Sequence, residues 1–352
     1  MINLGDDTME NSKPQRRVRY KGKYPKKFEE KYKELEPEKY QDIINHVISK
    51  GNTPAGMHRS IMVDEILSFF DIQPNQIGLD ATLGFGGHSK EILTKLNHTG
   101  HLHATDLDTI ELPKTEKRLL DSGFTQNDFT LHNLNFKDFD LIGEQKYDFI
   151  LADLGVSSMQ IDDPMRGFTF KFDGPLDLRM NPNLGIPANF RLRNLSALEI
   201  EGMLVENADE TYAKEIAQAI VKEFSQGKTI DTTKALQKVI ASALDRLPKT
   251  IKEDAIKKAS QRTFQALRID VNNEFESLYE FLEKIPLYLN KGGKVAILSF
   301  HSGEDRLVKK SFKQFLNDGI YQEISGPLSP SGDEVFTNSR AKSAKLRCAI
   351  KS

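Results

Sequence analysis

The chain has 352 residues, 38% of them hydrophobic and 28% charged, with a net charge of −2. That balance belongs to a globular protein with one or two buried cores, not to a disordered or collagenous chain. A single cysteine, Cys348, excludes a disulfide framework, a cysteine-ligated zinc site and a thiolate cluster for radical chemistry. No apolar run reaches the eighteen or so residues of a membrane span, and the first residues are too polar for a signal sequence, so a soluble, cytoplasmic protein is expected.

Residues 13–27 carry eight basic side chains (Lys13, Arg16, Arg17, Arg19, Lys21, Lys23, Lys26 and Lys27) and no acid, with Tyr20, Tyr24 and Phe28 interleaved. Such cations displace counterions from a phosphate backbone while the rings stack on unpaired bases, which suits single-stranded RNA; a solvated tail has the same composition. Residues 28–50 alternate Glu and Lys and read as a surface helix. Beyond Met57, strand and helix patterns alternate, which predicts a parallel sheet flanked by helices. Strands are expected at 77–81, 101–105, 129–132 and 147–152, and helices at 87–96 and 109–122.

Between residues 163 and 260 the pattern is helical only. Ser196 and Glu199 form a capping box, and Tyr212, Ile216, Ile220 and Phe224 share one helical face, as do Leu236, Val239, Ile240, Ala243 and Leu244. A helix over 273–289, a stop at Gly292 and Gly293, and a strand over 294–300 then resume the alternation. The expected organisation is a basic extension (1–56), an α/β domain (57–162 and 261–352) and an all-α insertion (163–260).

The motif DATLGFGGHS at residues 80–89 falls where the first strand turns into the first helix. Glycines there admit a close ligand, and the helix start offers free N–H groups. A dinucleotide fingerprint starting at Gly84 would need glycine where Ser89 stands, so a nicotinamide cofactor is disfavoured. Asp106 ends the second strand, where an acid accepts hydrogen bonds from ribose hydroxyls, while Asp108 reads as a helix cap. Asp153 ends the fourth strand. Asp80, Asp106 and Asp153 would then converge at the topological switch and favour a nucleoside bearing a cationic group, as S-adenosylmethionine does.

The segments DATLGFGGHS, DLGVSSMQ (153–160), RGFTF (166–170), DGPLDLRM (173–180), TFQALR (263–268), SFHSGEDR (299–306) and NSRAKSAKLR (338–347) together resemble the MraW/RsmH family, over about residues 58–347. Those proteins are bacterial methyltransferases acting on N4 of a cytidine in the decoding region of 16S ribosomal RNA. The resemblance implies a Rossmann-like class I methyltransferase fold interrupted by the helical insertion. It also implies an S-adenosylmethionine site lined by Gly86, Gly87, His88, Asp106, Phe136, Asp153 and Gln160, with Phe136 against the adenine. The small ribosomal subunit would be the partner, and a homodimer is left open. The chain departs from the family at Ser60, where proline is usual, and at Gly303, where leucine is usual.

Asp153, Asp173, Asp177 and His301 are the candidate catalytic groups, and Arg179, Arg268, Glu304 and Arg340 the candidate substrate contacts. Attack by an exocyclic amine requires orientation and a charge acceptor. Methylation at pyrimidine C5 would instead require a thiolate, and Cys348 lies in what reads as a terminal strand with nothing beside it to activate it. His98, His101 and His103 lack the companions of a metal site, and no metal is expected. A DNA amino-methyltransferase would show an Asp-Pro-Pro-Tyr type sequence where Asp153-Leu-Gly-Val stands. An RNA-binding assembly factor that keeps the fold without transfer is the remaining alternative.

Overall fold

The computed structural model describes residues 60–352. The basic run at 13–27, the helix expected over 28–50 and His58 lie outside the described residues. In chain order the first half runs α1 (Val63–Phe70), β1 (Ile77–Asp80), α2 (Gly87–Leu96), β2 (His101–Thr105), α3 (Leu112–Asp121), β3 (Phe129–His132), β4 (Tyr147–Asp153) and α4 (Ser158–Asp162). Helices α5 (Ala188–Arg193), α6 (Ala197–Ala208), α7 (Ala213–Ser225), α8 (Thr233–Ala243) and α9 (Lys249–Asn272) follow without an intervening strand. The chain closes with α10 (Glu274–Tyr288), β5 (Leu289–Ser299), α11 (Ser302–Asn317), β6 (Tyr321–Leu328), α12 (Gly332–Thr337) and β7 (Lys345–Lys351).

The strands form one sheet in the order β3-β2-β1-β4-β5-β7-β6. Strands β1 to β5 run parallel, and β7 is antiparallel to both β5 and β6. This α/β sheet, with helices on both faces and one reversed strand near its edge, is Rossmann-like. Successive strand residues point to opposite faces, so the near-continuous apolar run of β4 feeds two cores. Ile150 and Ala152 pack with Phe281, Leu282 and Ile285 of α10 and Val308 and Phe312 of α11. Phe149 and Leu151 pack with Ile66 and Phe70 of α1, Ile92 and Leu96 of α2, and Leu119 of α3.

The insertion has its own core, in which Ile200 and Leu204 of α6, Ile216 and Ile220 of α7, and Leu236 and Ile240 of α8 meet Phe264 and Leu267 of α9. The expected capping box is present: Ser196 Oγ accepts from the Glu199 N–H at 3.3 Å, and the Ser196 N–H donates to Glu199 Oε2 at 2.7 Å.

Three details differ from the sequence reading. Helix α9 runs unbroken through residue 260, because its apolar residues on both sides of that point belong to the insertion core. Gly292 and Gly293 do not separate helix from strand: β5 begins at Leu289, opposite Tyr147, and the glycines form a bulge before regular pairing resumes between Phe149 and Lys294. Strand β6 carries mostly exposed residues and has no apolar signature in the sequence. Among the described residues no helix is long and apolar enough to cross a membrane.

Candidate active site

Strand order reverses between β1 and β4, and ligands of open parallel sheets bind at such a switch, beyond the carboxyl ends of the strands. The glycine turn after β1 is held on several sides. The Gly84 N–H donates to Asp106 Oδ2 at 2.6 Å, and the Asp108 N–H donates to Asp106 Oδ1 at 2.8 Å. Thr115 of α3 donates its hydroxyl to the Gly84 carbonyl at 2.7 Å, and the Arg118 guanidinium lies 3.8 Å above the centre of the Phe85 ring. Gly86 has φ +83°, and a Cβ there would stand 2.6 Å from Thr115 Cγ2, so glycine is required where α2 begins. Burial pushes the Asp106 carboxyl up to about 6, against its two backbone donors and with the charges of Asp108 and Asp80 adding to the rise.

Asp153 ends β4, its N–H donating to Thr82 Oγ1 at 2.6 Å. Oδ2 lies 3.5 Å from His88 Nδ1, while Oδ1 is buried and has no hydrogen-bond partner. Burial raises this carboxyl to about 6; His88 opposes the rise, and the nearby charges of Asp80 and Glu304 add to it. An acid poised between forms, with one oxygen unused, is chemically available.

The third acid of the expected trio does not reach the crevice. Asp80 is 1% exposed and turned inward, accepting from Ser89 Oγ at 2.6 Å and the Thr82 N–H at 3.1 Å. Its carboxylate pins the turn to α2, and desolvation raises its pKa. Asp108 is more than a helix cap: Oδ1 accepts from the Ile110 and Glu111 N–H groups, and Oδ2 accepts from Gln160 Nε2 and Arg166 Nη1, both at 2.7 Å. Gln160 also receives the Ser157 N–H on Oε1, so both ends of its amide are committed within the protein. Phe136 is half-buried and packs edge-to-face on Phe281.

The remaining catalytic and substrate candidates fall into separate places. Asp173, exposed, accepts the Lys234 N–H at the start of α8. Asp177 and Arg179 form a two-point ion pair at 2.7 and 2.8 Å. Arg340 pairs with Asp162 at 3.1 Å. Arg268 binds both oxygens of Glu274, at 2.7 and 2.8 Å, and faces Glu304. His301 caps α11, its Nδ1 accepting the Glu304 N–H while Nε2 lies 3.1 Å from Glu304 Oε1. Burial works against the Glu304 charge, but the His301 hydrogen bond, the charges of His301 and Arg268 and the Phe300 N–H together hold its carboxyl below the ordinary range. Of all these candidates, Glu304 is the one whose charge acts on Asp153.

A family model described as the MraW methylase family matches residues 55–352 of this chain. The chain belongs to the MraW methylase family. It is 67% identical over 343 residues to the ribosomal RNA small subunit methyltransferase H 2 of Acholeplasma laidlawii, covering 97% of this chain and all (100%) of that protein. It is 58% identical over 342 residues to the protein of the same name from Alkaliphilus metalliredigens, covering 96% and 98% of the two chains. A solved rRNA methylase of Streptococcus thermophilus is a remote likeness, 13% identical with a TM-score of 0.38, over 81% of this chain and 95% of its own.

In this MraW-family chain the crevice fits the sulfonium nucleoside of S-adenosylmethionine. Asp106 sits at the end of β2 with lone pairs beyond its two backbone bonds, and the unpartnered Asp153 Oδ1 offers a negative oxygen to a cation. A metal fits less well. Ligand atoms of Glu274, His301 and Glu304 lie within 4.8 Å of one another, but Arg268 occupies both oxygens of Glu274, which makes the group an ion-pair network.

The departure at Gly303 has a local cause, and the serine at position 60 has no structural explanation. A Cβ on Gly303 would stand 2.5 Å from the Phe275 ring, which lies against His301, so glycine there makes room for that ring. A Cβ on Gly87 would stand 2.0 Å from Ser60 Oγ, so the serine bears on the glycine beside it. The sequence reading missed Glu274 and the second role of Asp108. Neither partnership follows a helical or strand spacing.

Proposed function

We propose that this chain is an S-adenosylmethionine-dependent methyltransferase acting on N4 of a cytidine in the decoding region of 16S ribosomal RNA, with the small ribosomal subunit in the cytoplasm as its partner. Family membership and the names of its relatives support methylation of small-subunit ribosomal RNA. The observation that carries the choice of atom is the buried, unpartnered Asp153 Oδ1 at the end of β4.

The bound cofactor supplies a methyl group on a positively charged sulfur. Asp106 accepts the ribose hydroxyls, the glycine turn lets the backbone approach, and Phe136 borders the adenine. Asp153 Oδ1 accepts a hydrogen bond from the exocyclic amine and orients its lone pair, a form of positioning worth up to about 7–11 kcal/mol in a well-aligned reaction. An acid near pH 6 is ionised at neutral pH yet basic enough to receive the proton the amine loses. Arg179, with Asp177, borders the target nucleotide. Glu304, held by His301, completes the rim through its charge on Asp153.

Transfer to carbon is disfavoured by the one cysteine. Cys348 is buried in β7, and burial pushes its thiol up to about 12, so it supplies no thiolate.

The test incubates the chain, and Asp153→Ala beside it, with labelled S-adenosylmethionine and unmodified small subunits, then identifies the labelled nucleoside. N4-methylcytidine from the wild type alone is expected. Label on another nucleoside would refute the choice of atom, and cofactor binding without transfer would favour an assembly factor.

A further inference from the structure

Helix α11 starts at the rim of the crevice, where His301 caps it and Glu304 of its first turn bears on Asp153. Val308, Phe312 and Phe315 turn one side of the helix into the core shared with β4. On the outer side, Arg306, Lys309, Lys310 and Lys313 recur at the spacing of a single helical face, and all four are exposed. No acid stands between residues 306 and 317. The two acids just before them are buried and committed, Glu304 to His301 and Asp305 to Lys345 and Arg347. Arg306 reaches Asp209 of the insertion at 3.7 Å, with both side chains well exposed, and among the described residues no carboxylate pairs with the three lysines. Ser302 Oγ also lies 3.5 Å from Asp209 Oδ2, so the stripe begins where the insertion meets α11. Cations at these spacings repel one another, and none lies in the last turn, where the helix dipole would favour it. The arrangement therefore costs the helix stability, which a solvated face of mixed charge would not.

We propose that this face of α11 is a track for the phosphate backbone of the RNA strand flanking the target nucleotide. This rests on the reading of the substrate as RNA. From Arg306 to Lys313 the track covers about 10 Å along the helix axis, leading away from the crevice. It carries cations and no exposed ring, so it holds phosphates and leaves the bases unread. Its contribution is to anchor the strand beside the site while the crevice selects the nucleotide.

The test titrates the full chain with two single-stranded RNAs, one of decoding-region sequence and one with the same bases scrambled, over a series of salt concentrations. With Lys309→Gln, Lys310→Gln and Lys313→Gln combined, the slope of log K against log salt should flatten by about 2, because each lost phosphate contact on a single strand removes about 0.7. Affinity at physiological salt should fall roughly tenfold or more, by the same factor for both RNAs, and the KM for unmodified small subunits should rise in step. The melting temperature should not fall, since the substitutions relieve repulsion. Replacing the same lysines by arginine should leave the slope as in the wild type. A control with Lys95→Gln, Lys146→Gln and Lys291→Gln makes an equal change in charge at the amino ends of the strands, away from the crevice, and should also keep the wild-type slope. An unchanged slope in the α11 variant, an equal loss in the control, or a loss confined to the decoding-region sequence overturns the proposal. If the wild type binds RNA with the expected slopes but makes no N4-methylcytidine, the choice of atom fails and the track stands.

Discussion

Arg166 places Nη1 2.7 Å from Asp108 Oδ2, and both side chains are enclosed, at 7% and 1% exposure. The pair ties the loop after β2, which carries Asp106, to the segment leading into the insertion, because Arg166 Nη2 also donates to the Met180 carbonyl at 2.7 Å. Removing one member of a buried pair strands the other charge, whereas removing both leaves no buried charge, only the Gln160 amide and the Met180 carbonyl to find new partners. Arg166→Met should therefore lose about 3–5 kcal/mol of stability, and adding Asp108→Asn should recover much of that loss. Denaturant midpoints of the single and double variants measure it.

Asp153 should weaken the fold it serves. Its folded pKa of about 6 lies above the 3.8 of an ordinary carboxyl. The folded chain therefore binds more protons than the unfolded chain between pH 4 and pH 6, and this group removes stability as pH rises through that window. Asp153→Asn should be more stable than the wild type at pH 7.5. The expected gain is about 1–2 kcal/mol, below what the full shift implies, because the side chain is 28% exposed. The difference should vanish near pH 4, as thermal melts at the two pH values would show.

Cys348 should behave as a small hydrophobic residue. The native chain should resist a thiol-specific reagent until denaturant is added, and Cys348→Ala should keep the rate of methyl transfer within about twofold. A large loss of kcat in that variant would bring carbon methylation back.

The basic run at residues 13–27 should supply backbone affinity without sequence preference. If roughly six of its cations meet single-stranded RNA, deleting residues 1–50 should flatten the slope of log K against log salt by about 4. An unchanged slope in a binding titration would assign those cations to solvent.

Strands β1 and β4 were legible as short, mostly apolar runs and β2 and β3 as alternating ones, each followed by an acid or a turn, and the places of Asp106 and Asp153 followed from the alternation of strand and helix. What each acid touches was not. Asp80 and Asp153 both end strands of the same sheet, yet Asp80 is spent on Ser89 and Thr82 while Asp153 keeps an oxygen free. That difference comes from packing around α2, which no local spacing encodes. Arg268 stood among the candidate substrate contacts as the end of the TFQALR segment, with no partner visible in the sequence. Its bond to Glu274 depends on the turn between α9 and α10, where Asn273 adopts φ +49°. Strand β6 was invisible for a simpler reason: an edge strand with most of its side chains exposed needs no apolar period.

Helix α9 spans 24 residues, or about 36 Å, and lends its apolar residues to the insertion core while ending at the ion pair beside the crevice. The insertion is therefore not a detachable module. Excising residues 163–260 would cut this helix and leave Phe264, Ala266 and Leu267 facing water. A shortened ancestor or an engineered minimal enzyme would have to resurface the second half of α9 before it could avoid aggregating through that face.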